Sequence, residues 1–377
     1  MPTDYPKNNI GRSVIPFTIV NNSGIGAYLY MFGTTKPLTP QNNTYWISNL
    51  KGDCTLFKPN EKLTLGVNLG STTDARFPQL DGIRAYIVLG GPLGVSINSA
   101  GIPIAISADD PQSPNYDKTW DFIEATWHDD VAFTTLHVNT TQVDAFGLAF
   151  KVEHSGYDPA NPSKPLTIVN GFDSPDARRV IFDEMSKAAD PWKRLVLANK
   201  RRILMPLKSM DAGVFPKTQL DKYINDVVQY YRTNSLTFSY SGVDYTGTTD
   251  ASGAFIFAPP KASGKPTYKF AKPTTRVCYT QDIRPTPDDG VGRAIGAALG
   301  ASFLRSTLKF YEEFPVPQNL RRYYYREPPV CEYARIIHEQ GINYHAFCYG
   351  YDEVAGDAGV NRDVRNPTSV KLTIQKA

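Results

Sequence analysis

Between Val14 and about Phe150 the chain is cut into short runs of alternating residues, each closed by turn formers, with no helical periodicity between them. Ile15-Pro16-Phe17-Thr18-Ile19-Val20 stops at Asn21-Asn22-Ser23-Gly24, and Ala27-Tyr28-Leu29-Tyr30-Met31-Phe32 stops at Gly33. Ile83-Arg84-Ala85-Tyr86-Ile87-Val88-Leu89 stops at Gly90-Gly91-Pro92. Successive side chains of a strand point to opposite faces, so each run carries an apolar face that another layer has to cover. Strands at this density, without helices between them, predict an antiparallel sandwich or barrel.

The pattern changes after about Pro165. Ser174-Pro175-Asp176 reads as a serine cap with proline in the first turn, followed by Val180, Ile181, Met185 and Ala188 at helical spacing. Thr218 is placed to cap a second helix whose apolar face is Leu220, Tyr223, Ile224, Val227, Val228 and Tyr231. A third is expected from Val291 to Leu308 and a fourth from about Pro329 to Glu339. Ser235–Tyr240 and Ala254–Phe257 read as strands about the turn Asp250-Ala251-Ser252-Gly253. The expected fold is therefore mainly β with α+β character: a sandwich or barrel over residues 1–165 and a mixed α/β domain over 166–366. The alternating tail, about 367–377, returns to the first sheet.

Charge and hydropathy narrow the partners. The 40 Lys plus Arg nearly balance 37 Asp plus Glu, and apart from Lys200-Arg201-Arg202, read as surface charge like Arg179, the basic residues are scattered, which argues against nucleic acid. No run approaches the roughly 20 apolar residues of a membrane span. Met1–Lys7 is followed by no apolar signal core, which fits both a chain working inside the cell and one whose secretion signal has been removed. Cys54, Cys278, Cys331 and Cys348 lack metal-type spacing and allow two disulfides without demanding any. The five histidines show no metal-ligand spacing, so neither a metal nor another cofactor is expected.

Two carboxylates carry the expected chemistry. On a strand Trp120–Thr126, alternation places Trp120, Phe122, Glu124 and Thr126 on one face, so Glu124 shares its surroundings with two rings that disfavour its charged form. On a strand Asn139–Phe146, Asp144 is flanked by Gln142 and Phe146, polar company suited to an ionised group. A proton-bearing carboxyl beside a carboxylate is what cleavage of a glycosidic bond requires, the first serving the leaving oxygen while the second activates water or attacks the sugar.

These stretches, taken in order, resemble glycoside hydrolase family 64, the thaumatin-like β-1,3-glucanases. The resemblance rests on Ile15–Gly24, on Glu124-Ala125-Thr126 followed by Asn139–Asp144, on Phe215-Pro216 through Asp221–Ile224 into Leu236-Thr237, and on Tyr333–Glu339 with Tyr351–Val354. It implies a thaumatin-like domain joined to an α/β domain across a wide groove for β-1,3-glucan, endo-acting inverting hydrolysis to short oligosaccharides, Glu124 as general acid and Asp144 as general base. Thr126, Asn139 and Thr141 fit its groove-lining polar positions. An extracellular monomer is implied, acting on β-1,3-glucan with neither nucleic acid nor membrane as partner. The chain departs from the family in the loop His128–Thr135, which reads as long, and at His137, where a tryptophan would be expected. His137 could bind a hydroxyl instead, and Trp127 could supply the stacking ring.

Plainer readings stand beside these. A lone strand carboxylate is usually solvated or ion-paired, His137 is more often a satisfied loop histidine than a ligand, and Trp127 is divided evenly between groove and core. His338 reads as structural, Asp352 and Glu353 as an exposed turn, and Gly290–Gly296 as close helix packing rather than a phosphate loop. Asn139-Thr140-Thr141 is also a glycosylation sequon, though a sugar there would obstruct the groove. The competing function is a glucan-binding thaumatin-like protein without turnover, and behind it a β protein with no sugar ligand.

Overall fold

The computed structural model describes residues 13–35, 44–63, 66–104, 106–129, 133–309, 314–354 and 362–377. Residues 130–132 of the loop expected to be long, and the opening Met1–Lys7, lie outside the described residues. Twelve strands among those described share one hydrogen-bonded sheet. They are β1 Val14–Asn21, β2 Ala27–Thr34, β3 Tyr45–Ser48, β4 Cys54–Leu56, β5 Val67–Leu69, β6 Thr72–Pro78, β7 Asp81–Leu89, β8 Thr119–Asp129, β9 Thr134–Thr140, β10 Phe150–Asp158, β11 Asn161–Gly171 and β12 Asp363–Ile374.

Along the main path the order is β11-β10-β12-β9-β8-β7-β2-β3-β4, with β5 on β2 and β1 joining β12 to β6. The late residues of β12 pair in parallel with β1, from Phe17↔Val370 to Asn21↔Ile374, and its early residues pair antiparallel with β9. Its other edge carries β10. The sheet therefore divides at β12 into two leaves, and their facing side chains form one core: Phe17 and Ile19 of β1 and Phe77 of β6 meet Ile87 of β7, Ile123 of β8 and Val138 of β9. This is the layered, near-barrel β architecture expected from the alternation, and the C-terminal strand returns as expected. No described helix is long and apolar enough to cross a membrane.

The opposite face of β2, β7 and β8 carries a second apolar cluster that includes Phe32, Tyr86, Trp120 and Phe122, covered by Phe57, Leu93 and Val95. The Tyr86 ring lies 4.9 Å from Phe122 and 5.5 Å from Phe32, centroid to centroid.

After β11 come six α-helices among the described residues: α1 Ala177–Lys187, α2 Pro206–Asp211, α3 Asp221–Tyr230, α4 Thr275–Thr280, α5 Gly290–Leu304 and α6 Glu332–Gln340. They pack with a five-stranded sheet, Leu236–Tyr240, Val243–Thr249, Phe255–Ala258, Tyr268–Phe270 and Pro285–Thr286, around one apolar core. The expected strand–turn–strand is thus a meander with an additional strand, Val243–Thr249, whose buried positions are Tyr245, Gly247 and Thr249, a mixed set with little apolar alternation to read. Neither expected helix cap forms: Asp176 and Leu220 occupy the cap positions of α1 and α3 without side-chain capping bonds. Asp221 instead accepts a hydrogen bond from the Thr275 hydroxyl at 2.7 Å, which ties α3 to α4. A Cβ on Gly296 would lie 2.2 Å from the Ile283 carbonyl oxygen, so the glycines of α5 serve close packing. All four cysteines are buried thiols.

The basic cluster is not all surface. Arg202 is fully buried, donating to the carbonyls of Ala108, Tyr116 and Lys118 at 2.7–3.2 Å, and its guanidinium lies 4.8 Å from the Trp120 ring centroid. Sequence reading assigns arginine to the surface because burial is costly, but the planar fork can satisfy several carbonyls at once. Arg202→Met leaves these carbonyls without their donor, and a loss of about 2–4 kcal/mol is expected as a lowered urea midpoint with unchanged slope.

His154 of β10 is fully buried with Nε2 3.2 Å from the Arg362 carbonyl, and burial pulls its imidazole down to about 4. The unfolded imidazole takes a proton near its ordinary 6.5 while the folded one resists to about pH 4, so stability is complete above pH 6.5 and falls as pH drops toward 4. The total is about 3 kcal/mol. Asp121, which burial pushes up to about 7, slopes the opposite way, so the measurement is the difference between wild type and His154→Gln. Denaturant titrations from pH 7 to 4 are expected to show a shallower acid loss in the variant.

Candidate active site

The central strands bring one polar patch together by register. Arg84 of β7 stands opposite Glu124 of β8, Glu124 opposite Asn139 of β9, Thr126 opposite His137, and His137 opposite Asp363 of β12. Because Ile123, Ala125 and Trp127 face the core, Glu124 and Thr126 face the other way. A cavity of about 510 Å³ opens over this patch, lined by Arg84, Tyr86, Glu124, Thr126, His137 and Asn139 and walled by Phe32, Tyr45, Ile104 and Phe347.

Glu124 is not in the apolar setting expected of it. Arg84 Nε and one terminal guanidinium nitrogen each lie 3.2 Å from Glu124 Oε1, and the same guanidinium is 5.1 Å from the Phe122 ring centroid. Phe122 is beside the site as alternation requires, but the cross-strand neighbour Arg84 decides the electrostatics. The Glu124 side chain is 29% exposed, so solvent and ligand reach it.

Asp144 is displaced from its expected strand. β9 ends at Thr140, and residues 141–144 turn toward the helical half, so Gln142 and Phe146 do not flank Asp144 on a sheet face. The Gln142 N–H donates to the Phe347 carbonyl at 2.7 Å, and the Tyr333 hydroxyl donates to the Gln142 carbonyl at 2.6 Å. Asp144 Oδ1 pairs with Lys208 Nζ of α2 at 3.0 Å, and its carbonyl accepts from the Met205 N–H at 3.2 Å. On the far side the buried Asp121 carboxylate accepts from the Gly147 and Leu148 N–H groups at 2.8 and 3.1 Å. Glycine is needed at 147, where a Cβ would lie 2.2 Å from the Trp120 carbonyl oxygen. Arg84 pairs with Glu124 and Lys208 with Asp144, and Asp144 is not among the residues that line the cavity.

The remaining expected residues divide. Thr126 Oγ1 accepts from the Gly82 N–H at 3.3 Å, and His137 Nδ1 lies 3.4 Å from Asp363 Oδ1, whose carboxyl is held below its usual range by the His137 hydrogen bond. Asn139 lines the cavity from β9. Trp127 does not reach it: one residue beyond Thr126 in a period-two strand, it is buried in the inner core. Thr141 is buried too, past the end of β9, and is not among the lining residues.

Asp352 is likewise not an exposed turn. It is fully buried, paired with Arg305 at 3.3 Å and with His338 Nε2 at 2.8 Å, and it accepts from the Cys348 N–H at 3.0 Å. His338, Cys348 and Asp352 lie close enough to suggest a metal, but the hydrogen bonds of Arg305, His338 and the Cys348 amide already occupy the carboxylate.

Sequence reading missed Arg84, Tyr45, Lys208, Asp363 and Phe347. Arg84 left a trace as the one charge in the otherwise apolar run Ile83–Leu89. The others come from distant segments and left no local signal.

A family model for Glyco_hydro_64, Beta-1,3-glucanase, matches residues 13–375. Two curated relatives, each called glucan endo-1,3-beta-glucosidase and found in Arthrobacter sp. (strain YCWD3) and Cellulosimicrobium cellulans, are 24% identical to this chain over 96% of it. The chain spans 65% of the length of these relatives. A laminaripentaose-producing beta-1,3-glucanase solved in complex with laminaritetraose has the same fold, with a TM-score of 0.80 at 23% identity over 96% of this chain and 99% of that one. A beta-1,3-glucanase domain from Clostridium beijerinckii superposes with a TM-score of 0.75 at 21% identity, covering 98% of this chain and 100% of the other.

Proposed function

The chain belongs to glycoside hydrolase family 64, the β-1,3-glucanases, and from that premise we propose that it cleaves β-1,3-glucan internally with inversion, Glu124 acting as general acid and Asp144 as general base. The observation that carries the reading is Glu124 in the cavity, with Thr126, His137 and Asn139 around it in strand register. Both guanidinium contacts fall on Glu124 Oε1, so Oε2 is the oxygen assigned to give its proton to the glycosidic oxygen. The Lys208 contact falls on Asp144 Oδ1, so Oδ2 is assigned to take a proton from water as that water attacks the anomeric carbon. The glycosidic C–O bond breaks, the leaving sugar keeps the proton from Glu124, and the new hemiacetal has the α configuration. Inversion needs room for that water, roughly 6.5–9.5 Å between carboxyls, and carboxylates borne on different segments suit such a gap better than neighbours on one strand.

Arg84 has to loosen its hold for Glu124 to carry a proton. The Phe122 face keeps the guanidinium in the site when it does. Thr126, His137 and Asn139 are assigned to substrate hydroxyls, with Asp363 orienting the His137 ring. We assign residues 1–165 and the returning tail to the catalytic β domain and residues 166–366 to the domain supplying the opposite groove wall. A polymer of this kind is met outside the cell, so the proposed place of action is extracellular.

The ion pairing of both carboxylates also suits a glucan binder without turnover, and the same assay separates the two. Glu124→Gln and Asp144→Asn are each expected to lower kcat on laminarin by about 100-fold or more while circular dichroism is unchanged. Proton NMR of the wild-type digest should show the α anomer first. Undiminished hydrolysis by Glu124→Gln would sink the assignment, and glucan pull-down without release of reducing sugar would establish the binder.

A further inference from the structure

Phe347 stands out within its own segment. Ala346, Cys348 and Tyr349 are 2%, 0% and 1% exposed, whereas Phe347 is only partly buried and forms a wall of the Glu124 cavity. A phenylalanine that lines a cavity leaves part of its apolar surface uncovered, and here the backbone on either side of the ring is tied down. Its carbonyl accepts the Gln142 N–H at 2.7 Å, and its N–H donates to Gln142 Oε1 at 3.4 Å. The next amide, Cys348 N–H, donates to Asp352, which Arg305 and His338 hold in the core.

We propose that Phe347 is a fixed platform on which a glucose ring of the substrate stacks, presented by the buried Arg305–Asp352–His338 cluster; this rests on the glucanase reading of the cavity. A β-linked glucose ring has equatorial hydroxyls around its rim and C–H groups on its faces. An apolar ring and polar side chains in one cavity match that shape, and the lining holds both: Phe347 from the helical half and Thr126, His137 and Asn139 from the sheet. Since Gln142 lies two residues before Asp144, the hydrogen bonds that hold Phe347 also register the stacked ring against the proposed base. Trp127, the ring expected from sequence, is in the core and cannot serve.

The test separates this proposal from the hydrolase reading. In the Glu124→Gln background, retention in native gels containing laminarin measures binding without turnover. Phe347→Ala and Phe347→Leu are expected to weaken retention about tenfold or more, while Phe347→Tyr and Phe347→Trp preserve it. In the active protein Phe347→Ala should raise KM by a similar factor with kcat nearly constant. Equal retention with and without the Phe347→Ala change, with wild-type hydrolysis intact, overturns the platform and leaves the hydrolase standing. Retention that depends on Phe347 in a wild type releasing no reducing sugar overturns the hydrolase and keeps the platform, and absence of retention in every protein overturns the platform. Matching thermal midpoints exclude misfolding, and the Tyr and Trp variants guard against a packing defect.

Discussion

Strand β8 has to satisfy two environments at a repeat of two residues. Ile123, Ala125 and Trp127 enter the inner core while Phe122, Glu124 and Thr126 meet the outer face, and a slip of one residue in pairing would bury the carboxylate and expose the tryptophan. The apolar residues therefore lock the register that sets Arg84 opposite Glu124 and His137 opposite Thr126. The site inherits its geometry from the core beneath it, at no cost in strained backbone along these strands. β12 extends the row by placing Asp363 beside His137, which makes the far end of the chain part of the same patch.

The two carboxylates are held by different means. Glu124 is fixed by strand pairing, whereas Asp144 depends on contacts with the helical half: Lys208 and Met205 on one side, and Phe347 and Tyr333 through Gln142 on the other. The ion pairs of Glu124 and Asp144 are partly exposed, and such pairs contribute little to stability. Their consequence is orientation, since each ties one carboxylate oxygen to a cation from another segment. Buried charge is used elsewhere, in Arg202 beneath Trp120 and in Arg305 with Asp352, where removing one partner would strand the rest.

Much of the fold was legible because it rests on local periodicity. Alternation identified the β-rich first half, helical spacing located α1, α3, α5 and α6, and the final alternating run returned to the sheet. For Glu124 and Asp144 the difference has one cause, which is that a cross-strand or interhalf neighbour is not encoded near the residue it governs. Alternation puts Glu124 on the right face but in an apolar setting, because Arg84 lies on another strand. Asp144 reads as a strand residue because nothing in Asn139–Phe146 announces that Phe347 and Tyr333 draw Gln142 away. Trp127, which reads from sequence as either groove or core, is decided by its own strand parity, which points inward. Arg202 and Asp352 were assigned to the surface on residue type alone, and type is outweighed when a guanidinium finds several acceptors or a carboxylate several donors.

The division of labour between sheet and helical half also explains why polar side chains penetrate the core of the helical half. Apolar packing alone is tolerant of small shifts, since hydrophobic contacts are not directional. A segment that must aim one ring into a cavity and keep Gln142 in line with Asp144 needs directional bonds. Asp352 supplies them by accepting from the Cys348 amide while Arg305 and His338 fix the carboxylate itself. Buried and fully hydrogen-bonded, the cluster specifies one conformation of Ala346–Tyr349 where an apolar substitute would leave the Cys348 amide without its acceptor and the segment able to settle inward.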